Sequence, residues 1–239
     1  MDHYRRNLLK LAEKLIKAKF IERLNRFLGV VEIEGENILA HIPNPGRMKE
    51  LLISEIEVML REPKNNTNRK TNYDLVGIVK NGTHISLDSN APNKIFKEAI
   101  QQGKISEFGV IKELKPEIKY GDSRLDFLLV NNERQKIFVE IKSVNLVENG
   151  IAKFPDAPTL RGLRHLEELN DALKKGYRSS IFFIIQRNDA SIFTPNDHTD
   201  SLFGKTLRKV NSNGVEIYAY KCDILLPYIE LTKKIKVKI

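Results

Sequence analysis

The stretch SRLDFLLVNNERQKIFVEIKS, residues 123–143, decides the fold of the second half of the chain. It contains two strand-like runs, SRLDFLLV and QKIFVEIKS, in which successive side chains alternate between the two faces of a sheet. The polar segment Asn131–Lys136 between the runs predicts a hairpin loop. The sequence therefore predicts two neighbouring antiparallel strands, each with one apolar face and one face that carries charged residues.

Glu140 and Lys142, two residues apart on the second strand, share one face of this predicted hairpin. A turn centred near Glu133 puts Asp126 directly across from Glu140, with Cβ atoms about 5 Å apart. Two carboxylates at that distance repel, which favours a divalent cation such as Mg²⁺ between them. Lys142 could then hold a phosphate oxygen or help to deprotonate water. From these residues alone, a Glu–Lys salt bridge on an exposed sheet face explains the pattern equally well.

The patterns around the hairpin predict a mixed sheet with helices on its faces. Leucines at helical spacing and an apolar run bounded by polar residues indicate a helix and then a strand covered on both faces. The predicted elements are, in chain order, a helix at 93–103, strands at 110–120, 123–130 and 135–143, a helix at 159–175, a strand at 180–186, and a further helix and strand at 200–210 and 215–220. This order predicts an α/β domain over residues 90–239.

The first part of the chain predicts a small antiparallel barrel of the OB type. Five or six short strand-like runs lie between Phe20 and Ser86, with a turn at Gly35–Asn37. Before them, residues 3–19 place leucines at helical spacing among lysines and arginines, which predicts a basic amphipathic helix. Turn residues then cluster after the last run and predict a boundary, so that helix and barrel together form a domain over residues 1–89.

The composition favours a polyanionic partner or an acidic membrane surface, although a basic protein without such a partner would have it too. Lys and Arg number 40 against 31 Asp and Glu, which gives a net charge of +9 and an isoelectric point of about 9.4. No stretch approaches the ~20 apolar residues of a membrane span, which predicts a soluble cytoplasmic protein. Cys222 is the single cysteine and no zinc-ligand spacing occurs, so any metal site must use carboxylates.

Several strings of the sequence resemble the sugar fermentation stimulation protein A family. They include GVVEIEGENILAHIPNPGRM, SRLDFLL, VEIKSVNLVENGIAKFPDAPTLRGLRHLEEL and IFFIIQRNDASIFTPND, within residues 20–225. The element order, with an acidic residue on one strand and ExK on the next, also resembles the PD-(D/E)xK nuclease superfamily, with Leu125 in place of the proline. These resemblances imply a DNA-binding OB-like barrel followed by a PD-(D/E)xK nuclease-like mixed sheet flanked by helices. The chain departs from the family pattern at Pro45 and Pro158.

The resemblance also implies a wider set of site residues. Glu98 on the first helix stands where that superfamily often supplies a further ligand, which would join Asp126 and Glu140 around Mg²⁺ or Mn²⁺. For Glu98, the alternative is an ordinary surface glutamate. For the start of the 159–175 helix, the alternative is a helix face that forms salt bridges. The candidate nucleic-acid contacts are Asn44, Arg47, Arg124, Arg161, Arg164 and His165.

These observations predict a DNA-binding protein with a Mg²⁺- or Mn²⁺-dependent nuclease activity. The alternative is a non-cleaving DNA-binding regulator of sugar utilisation genes, and an RNA-binding protein fits the barrel equally well. The intact set Asp126, Glu140 and Lys142 favours the nuclease, because a protein that only binds gains nothing from carboxylates that point at phosphates. We expect DNA as the partner and no membrane, with a homodimer left open.

Overall fold

The computed structural model describes residues 8–63 and 69–239 of the chain. After the two-residue strand β1 (Leu9–Lys10), six strands form the N-terminal sheet: β2 (Ile16–Asn25), β3 (Leu28–Ile33), β4 (Glu36–His41), β5 (Glu57–Arg61), β6 (Tyr73–Lys80) and β7 (Thr83–Ser86). They pair in the order β4–β3–β2–β5–β6–β7, and a parallel contact between β4 and β6 closes β2 to β6 into a five-stranded barrel. Apolar side chains from alternate positions, such as Phe20, Val31 and Leu60, fill the interior. The predicted OB-like barrel is confirmed.

The rest of the chain forms a mixed sheet with helices on both faces. Its elements are α1 (Ala91–Gln101), β8 (Ile111–Tyr120), β9 (Ser123–Asn131), β10 (Lys136–Val144), β11 (Val147–Glu148), β12 (Ile151–Phe154), α2 (Leu160–Lys174), β13 (Arg178–Ile185), β14 (Ile192–Pro195), α3 (Ser201–Ser212), β15 (Glu216–Leu225), β16 (Tyr228–Lys234) and β17 (Lys236–Val237). The large sheet has the order β1–β16–β15–β13–β10–β9–β8, and a small sheet has the order β11–β12–β14–β17. None of the described helices is long and apolar enough to cross a membrane.

The large sheet separates two hydrophobic cores. On one face Phe127 and Phe182 pack against Phe96 of α1, and on the other Phe183 packs with residues of α2 and α3 such as Phe203. Successive residues of β13 point to opposite cores, which is why this strand reads as one continuous apolar run. The three neighbouring strands β10, β13 and β15 are parallel, as the βαβ pattern through α2 predicts.

The start of α2 is fixed by a capping residue that matters for the site below. The side-chain oxygen of Thr159 accepts a hydrogen bond from the Gly162 N–H at 2.9 Å. Leu166 and Leu169 then bury one face of the helix against the sheet. Gly176, in the left-handed region with φ of +86°, follows its last turn. The sequence predicts this helix with an error of one residue at each end.

The basic helix predicted over residues 3–19 is wrong for the part of it that the structure describes, and residues 1–7 lie outside the described residues. From Ile16 onward the chain is strand β2, in which Ala18 and Phe20 face the barrel interior while Lys17 and Lys19 face solvent. Every second side chain is buried here, which stabilises a strand, although the spacing of the leucines would fit a helix equally well. Strand β1 pairs with β16 of the large sheet, so the division at residue 89 stays a prediction.

Candidate functional site

The hairpin of β9 and β10 has the register that the sequence predicts. Ile137 pairs with Leu129 and Val139 pairs with Phe127, so the next positions bring Glu140 opposite Asp126. At that point β10 donates a backbone hydrogen bond to the Asp126 carboxylate and not to a backbone carbonyl of β9. The Asp126 Oδ2 accepts this hydrogen bond from the Ile141 N–H at 2.8 Å. The two acidic residues therefore meet where the backbone pairing between the strands ends.

Glu140 is a buried carboxylate with one satisfied and one unsatisfied oxygen. Its side chain is 2% exposed, and Oε1 accepts a hydrogen bond from Lys142 Nζ at 2.5 Å and contacts His165 Nδ1. Oε2 is also buried and has no hydrogen-bond partner among the described residues. Because an unpaired buried polar atom is costly, this oxygen is a natural ligand for a cation.

The two carboxylates have pKa values shifted in opposite directions. Burial raises the pKa of Asp126, and the nearby charge of Glu140 raises it further, against hydrogen bonds from Ile141 and Asn93. Burial also acts to raise the pKa of Glu140, but the charge of Lys142 and the contact with His165 outweigh it, so this pKa lies below its ordinary value. A divalent cation would favour the charged form of both groups and would remove their mutual repulsion.

The helix α1 supplies a contact to this site, but it comes from Asn93 and not from Glu98. The Asn93 side-chain amide donates to Asp126 Oδ1 at 2.8 Å. Glu98 lies five residues further on, about 140° around the helix, and lines a small recess with Leu9 and Ile229. The predicted three-carboxylate set of Asp126, Glu140 and Glu98 is therefore not assembled. A polar residue in the first turn of the helix is the signal that could have indicated Asn93.

The helix α2 supports Glu140 from the other side. His165 is 2% exposed, with Nδ1 against Glu140 and Nε2 accepting a hydrogen bond from Arg161 Nε at 3.4 Å. This pattern requires the ring proton on Nδ1. The His165 ring is buried against a carboxylate, and its predicted contact with nucleic acid stays a prediction. Arg161 and Arg164 are exposed on the same helix.

The remaining predicted contacts divide into one structural residue and two exposed ones. Asn44 is buried, and its amide donates to Leu87 O and to Asn145 Oδ1, both at 3.1 Å, while its Oδ1 accepts from Gly46 N–H at 2.9 Å. These bonds hold the loop in place, and the predicted nucleic-acid contact of Asn44 stays a prediction. Arg47 is exposed on that loop, and Arg124 is 72% exposed on β9.

The donors available for a metal at this site are two carboxylates. Within residues 8–63 and 69–239, no group of three His, Cys, Asp or Glu side chains is arranged to hold a metal ion. Mg²⁺ is nevertheless commonly bound through one or two carboxylates, with water and substrate phosphate oxygens as its other ligands. The unpartnered Oε2 of Glu140, opposite Asp126, fits that mode of binding.

Comparison with known proteins identifies relatives over nearly the whole chain. Residues 21–87 match the model of the SfsA N-terminal OB domain, and residues 90–226 match that of the sugar fermentation stimulation protein RE domain. The sugar fermentation stimulation protein homolog of Moorella thermoacetica is 45% identical over 97% of this chain and 100% of its own. That of Clostridium acetobutylicum is 43% identical, covering 92% and 95%. The solved structure of Pyrococcus furiosus SfsA in complex with Ca²⁺ is 32% identical, with a TM-score of 0.88 over 97% of this chain and 100% of that one.

Proposed function

The chain belongs to the sugar fermentation stimulation protein family, and we propose that it is a DNA-binding protein with a divalent-cation-dependent nuclease activity. The observation that carries the proposal is Glu140, which is buried and charge-paired with Lys142 and has an oxygen opposite Asp126 without a partner in the part of the chain that the structure describes. Carboxylates repel phosphates, so a surface that only bound DNA would be weakened by them. A cation between the carboxylates and a phosphate reverses that effect.

We propose that Asp126 and Glu140 hold Mg²⁺ or Mn²⁺. The relative from Pyrococcus furiosus was solved with Ca²⁺, which takes oxygen ligands as Mg²⁺ does. When bound, such a cation polarises a phosphate oxygen and lowers the pKa of coordinated water. Asn93 and the Ile141 N–H orient the Asp126 carboxylate toward this role, and His165 orients that of Glu140.

Lys142 is the residue of this set that can act on the substrate. Its ammonium group has three N–H donors, of which Glu140 takes one at 2.5 Å. The others can donate to a phosphate oxygen or orient the attacking water. Arg124 lies two residues before Asp126, Arg161 and Arg164 lie on α2, and all three are exposed, so their charges can hold the flanking phosphates.

The OB barrel is the second part of the proposal. We propose that residues 1–89 grip DNA largely through its backbone and that residues 90–239 carry the cleavage site. The net charge of +9 supports binding to a polyanion. The alternative is a regulator that binds DNA through the same barrel without cutting it. That alternative does not explain why the Glu140 Oε2 is buried without a hydrogen-bond partner among the described residues.

The test is cleavage of labelled single-stranded DNA, duplex DNA and RNA in Mg²⁺, Mn²⁺ or EDTA. We expect cleavage of DNA in either metal, none in EDTA, and a loss of at least about a hundredfold in Asp126→Asn and Lys142→Ala. Lys205→Ala, which removes an exposed lysine of α3, is the matched control and should cleave as the wild type does. Cleavage that persists in EDTA or in both site variants would contradict the proposal, and binding without cleavage would favour the regulator.

A further inference from the structure

A cavity of about 220 Å³ lies at the seam between the barrel and the large sheet. We call it the seam cavity. Its walls come from the loop 44–48 of the barrel, from residues 143–146 at the end of β10, and from residues 153–159 between β12 and α2. These segments contain the PNPG, SVNL and FPDAPT strings of the sequence, and the proposed metal site uses none of them.

Hydrogen bonds across the seam and within the barrel loop fix the shape of this cavity. Asn44 of the barrel loop donates to Asn145 Oδ1 at 3.1 Å, and the Met48 N–H donates to Asp156 Oδ2 at 2.7 Å. The Arg23 guanidinium donates to the carbonyl oxygens of Asn44 and Gly46 in the same loop, at 3.2 and 2.7 Å. The cavity is therefore a preformed site, in which a ligand would find the walls already in place.

The lining of the cavity combines apolar walls with positive charge. Its apolar wall residues include Pro45, Val144, Phe154, Pro155 and Pro158. Arg26 and Lys153 also line it, and an adjoining cavity of about 490 Å³ shares Arg26 and adds Arg23, Arg47 and Lys49. Among the described residues that line the two cavities, Asp156 alone is acidic. This combination suits a ligand with a flat apolar body and a negative charge, which describes a nucleotide.

Strand β10 connects the seam cavity to the proposed metal site. Ser143 follows Lys142 on β10, and Asn145 lies about 10 Å from Lys142 along the strand. Thr159, on the opposite wall, caps the helix that carries His165. The cavity thus lies at the carboxyl end of the parallel strands, where α/β sheets commonly bind their ligands.

We propose that the seam cavity receives one unpaired nucleotide of a DNA strand whose neighbouring phosphate lies at Lys142. The inference rests on the proposed function for the position of that phosphate. At about 220 Å³ the cavity is smaller than the ~300–1,000 Å³ typical of ligand pockets, so we expect it to take a single base and not a base pair. A base in a duplex would have to leave its stack to enter. The substrate class is therefore single-stranded DNA or an unpaired segment within a duplex.

The test measures binding in EDTA, where no cleavage occurs, by fluorescence anisotropy of a labelled DNA single strand and of its blunt duplex. Ala157→Phe fills the space where the two cavities meet, and Arg26→Gln removes a charge from both. Lys205→Gln removes one charge outside them and is the control. We expect the wild type to prefer the single strand, and Ala157→Phe to weaken single-strand binding about tenfold or more without changing duplex binding.

Thermal unfolding of each variant checks that it is folded. If Ala157→Phe is not folded, Arg26→Gln decides, with an expected loss of single-strand binding several times that of Lys205→Gln. The proposal is overturned if a folded cavity variant binds the single strand as the control does, or if wild type binds the duplex equally well. If the cavity variants weaken single-strand binding but the wild type cleaves no DNA, the nuclease proposal is wrong and the nucleotide site is still supported.

Discussion

Glu140 shows how single residues from separate elements can keep a buried carboxylate charged. Strand parity predicts that Glu140 and Lys142 share a face, because that relation is local in sequence. The contact with His165 depends on how α2 lies on the sheet, so the sequence indicates a polar stripe on that helix but not which carboxylate it meets. The same limit explains Glu98, because a helix rotation of about 140° decides whether the side chain faces Asp126.

Replacing Lys142 by Ala should destabilise the protein as well as abolish cleavage. Lys142 is 12% exposed and its partner Glu140 is 2% exposed, so the variant leaves a buried charge without its main counter-ion. We expect the free energy of unfolding in urea, without metal, to fall by about 3 kcal/mol. Lys205→Ala should change it by less than about 0.5 kcal/mol. Equal stabilities of the two variants would mean that the Lys142–Glu140 pair is not formed.

At the scale of elements, the barrel closes through a contact that carries titratable groups. Strand β4 meets β6 where His41 pairs with Asp74, and His41 Nδ1 lies 2.9 Å from Asp74 Oδ1. Arg69 donates to Asp74 Oδ1 at 2.6 Å, and Arg61 to Oδ2 at 3.3 Å. Periodicity predicts the strands of this barrel, but the closing contact joins residues 33 positions apart and has no local signal.

Barrel closure should therefore weaken in acid. Burial acts to raise the pKa of Asp74, but Arg69, His41 and Arg61 outweigh it and hold the pKa below its ordinary value. A lowered pKa in the folded state means that the carboxylate stabilises the protein above the ordinary aspartate pKa of about 3.9, and that this stability is lost as the pH falls through the folded pKa.

Asp74→Asn tests this pH dependence. At pH 7 the variant should be less stable than the wild type, and the difference should shrink once the pH falls below about 4. Urea unfolding at several pH values between about 7 and 3 measures it, with the exposed Asp122→Asn as the control. A stability difference that stays constant over this range would show that Asp74 contributes nothing through its charge.

At the scale of the whole molecule, a buried polar network joins the barrel to the large sheet. Asn145 after β10 donates to Ser86 O at the end of the barrel, and Gln186 after β13 accepts a hydrogen bond from the Ser86 hydroxyl and donates one to Asp88 O. The sequence predicts the two folds on either side of residues 88–94. It could not predict the seam, which brings together segments about 100 residues apart.

Asn145→Ala should loosen this seam. It removes the acceptor of the Asn44 amide and the donor to Ser86 O, leaving two buried groups without these partners. We expect a loss of about 2–4 kcal/mol in the free energy of unfolding. Asn213→Ala, which removes an exposed hydrogen bond to Asn170, should cost less than about 1 kcal/mol. A loss no greater than that of the control would contradict a rigid seam.

The proposed metal site requires Asp126 and Glu140 to hold one divalent cation together. Calorimetric titration of Mn²⁺ into the metal-free protein tests it without reference to any substrate. We predict one bound ion per chain for the wild type, at least tenfold weaker binding for Asp126→Asn and Glu140→Gln, and unchanged binding for Glu98→Gln, whose side chain lies away from the site. Binding that survives both carboxylate variants, or that is lost in Glu98→Gln alone, would contradict the account.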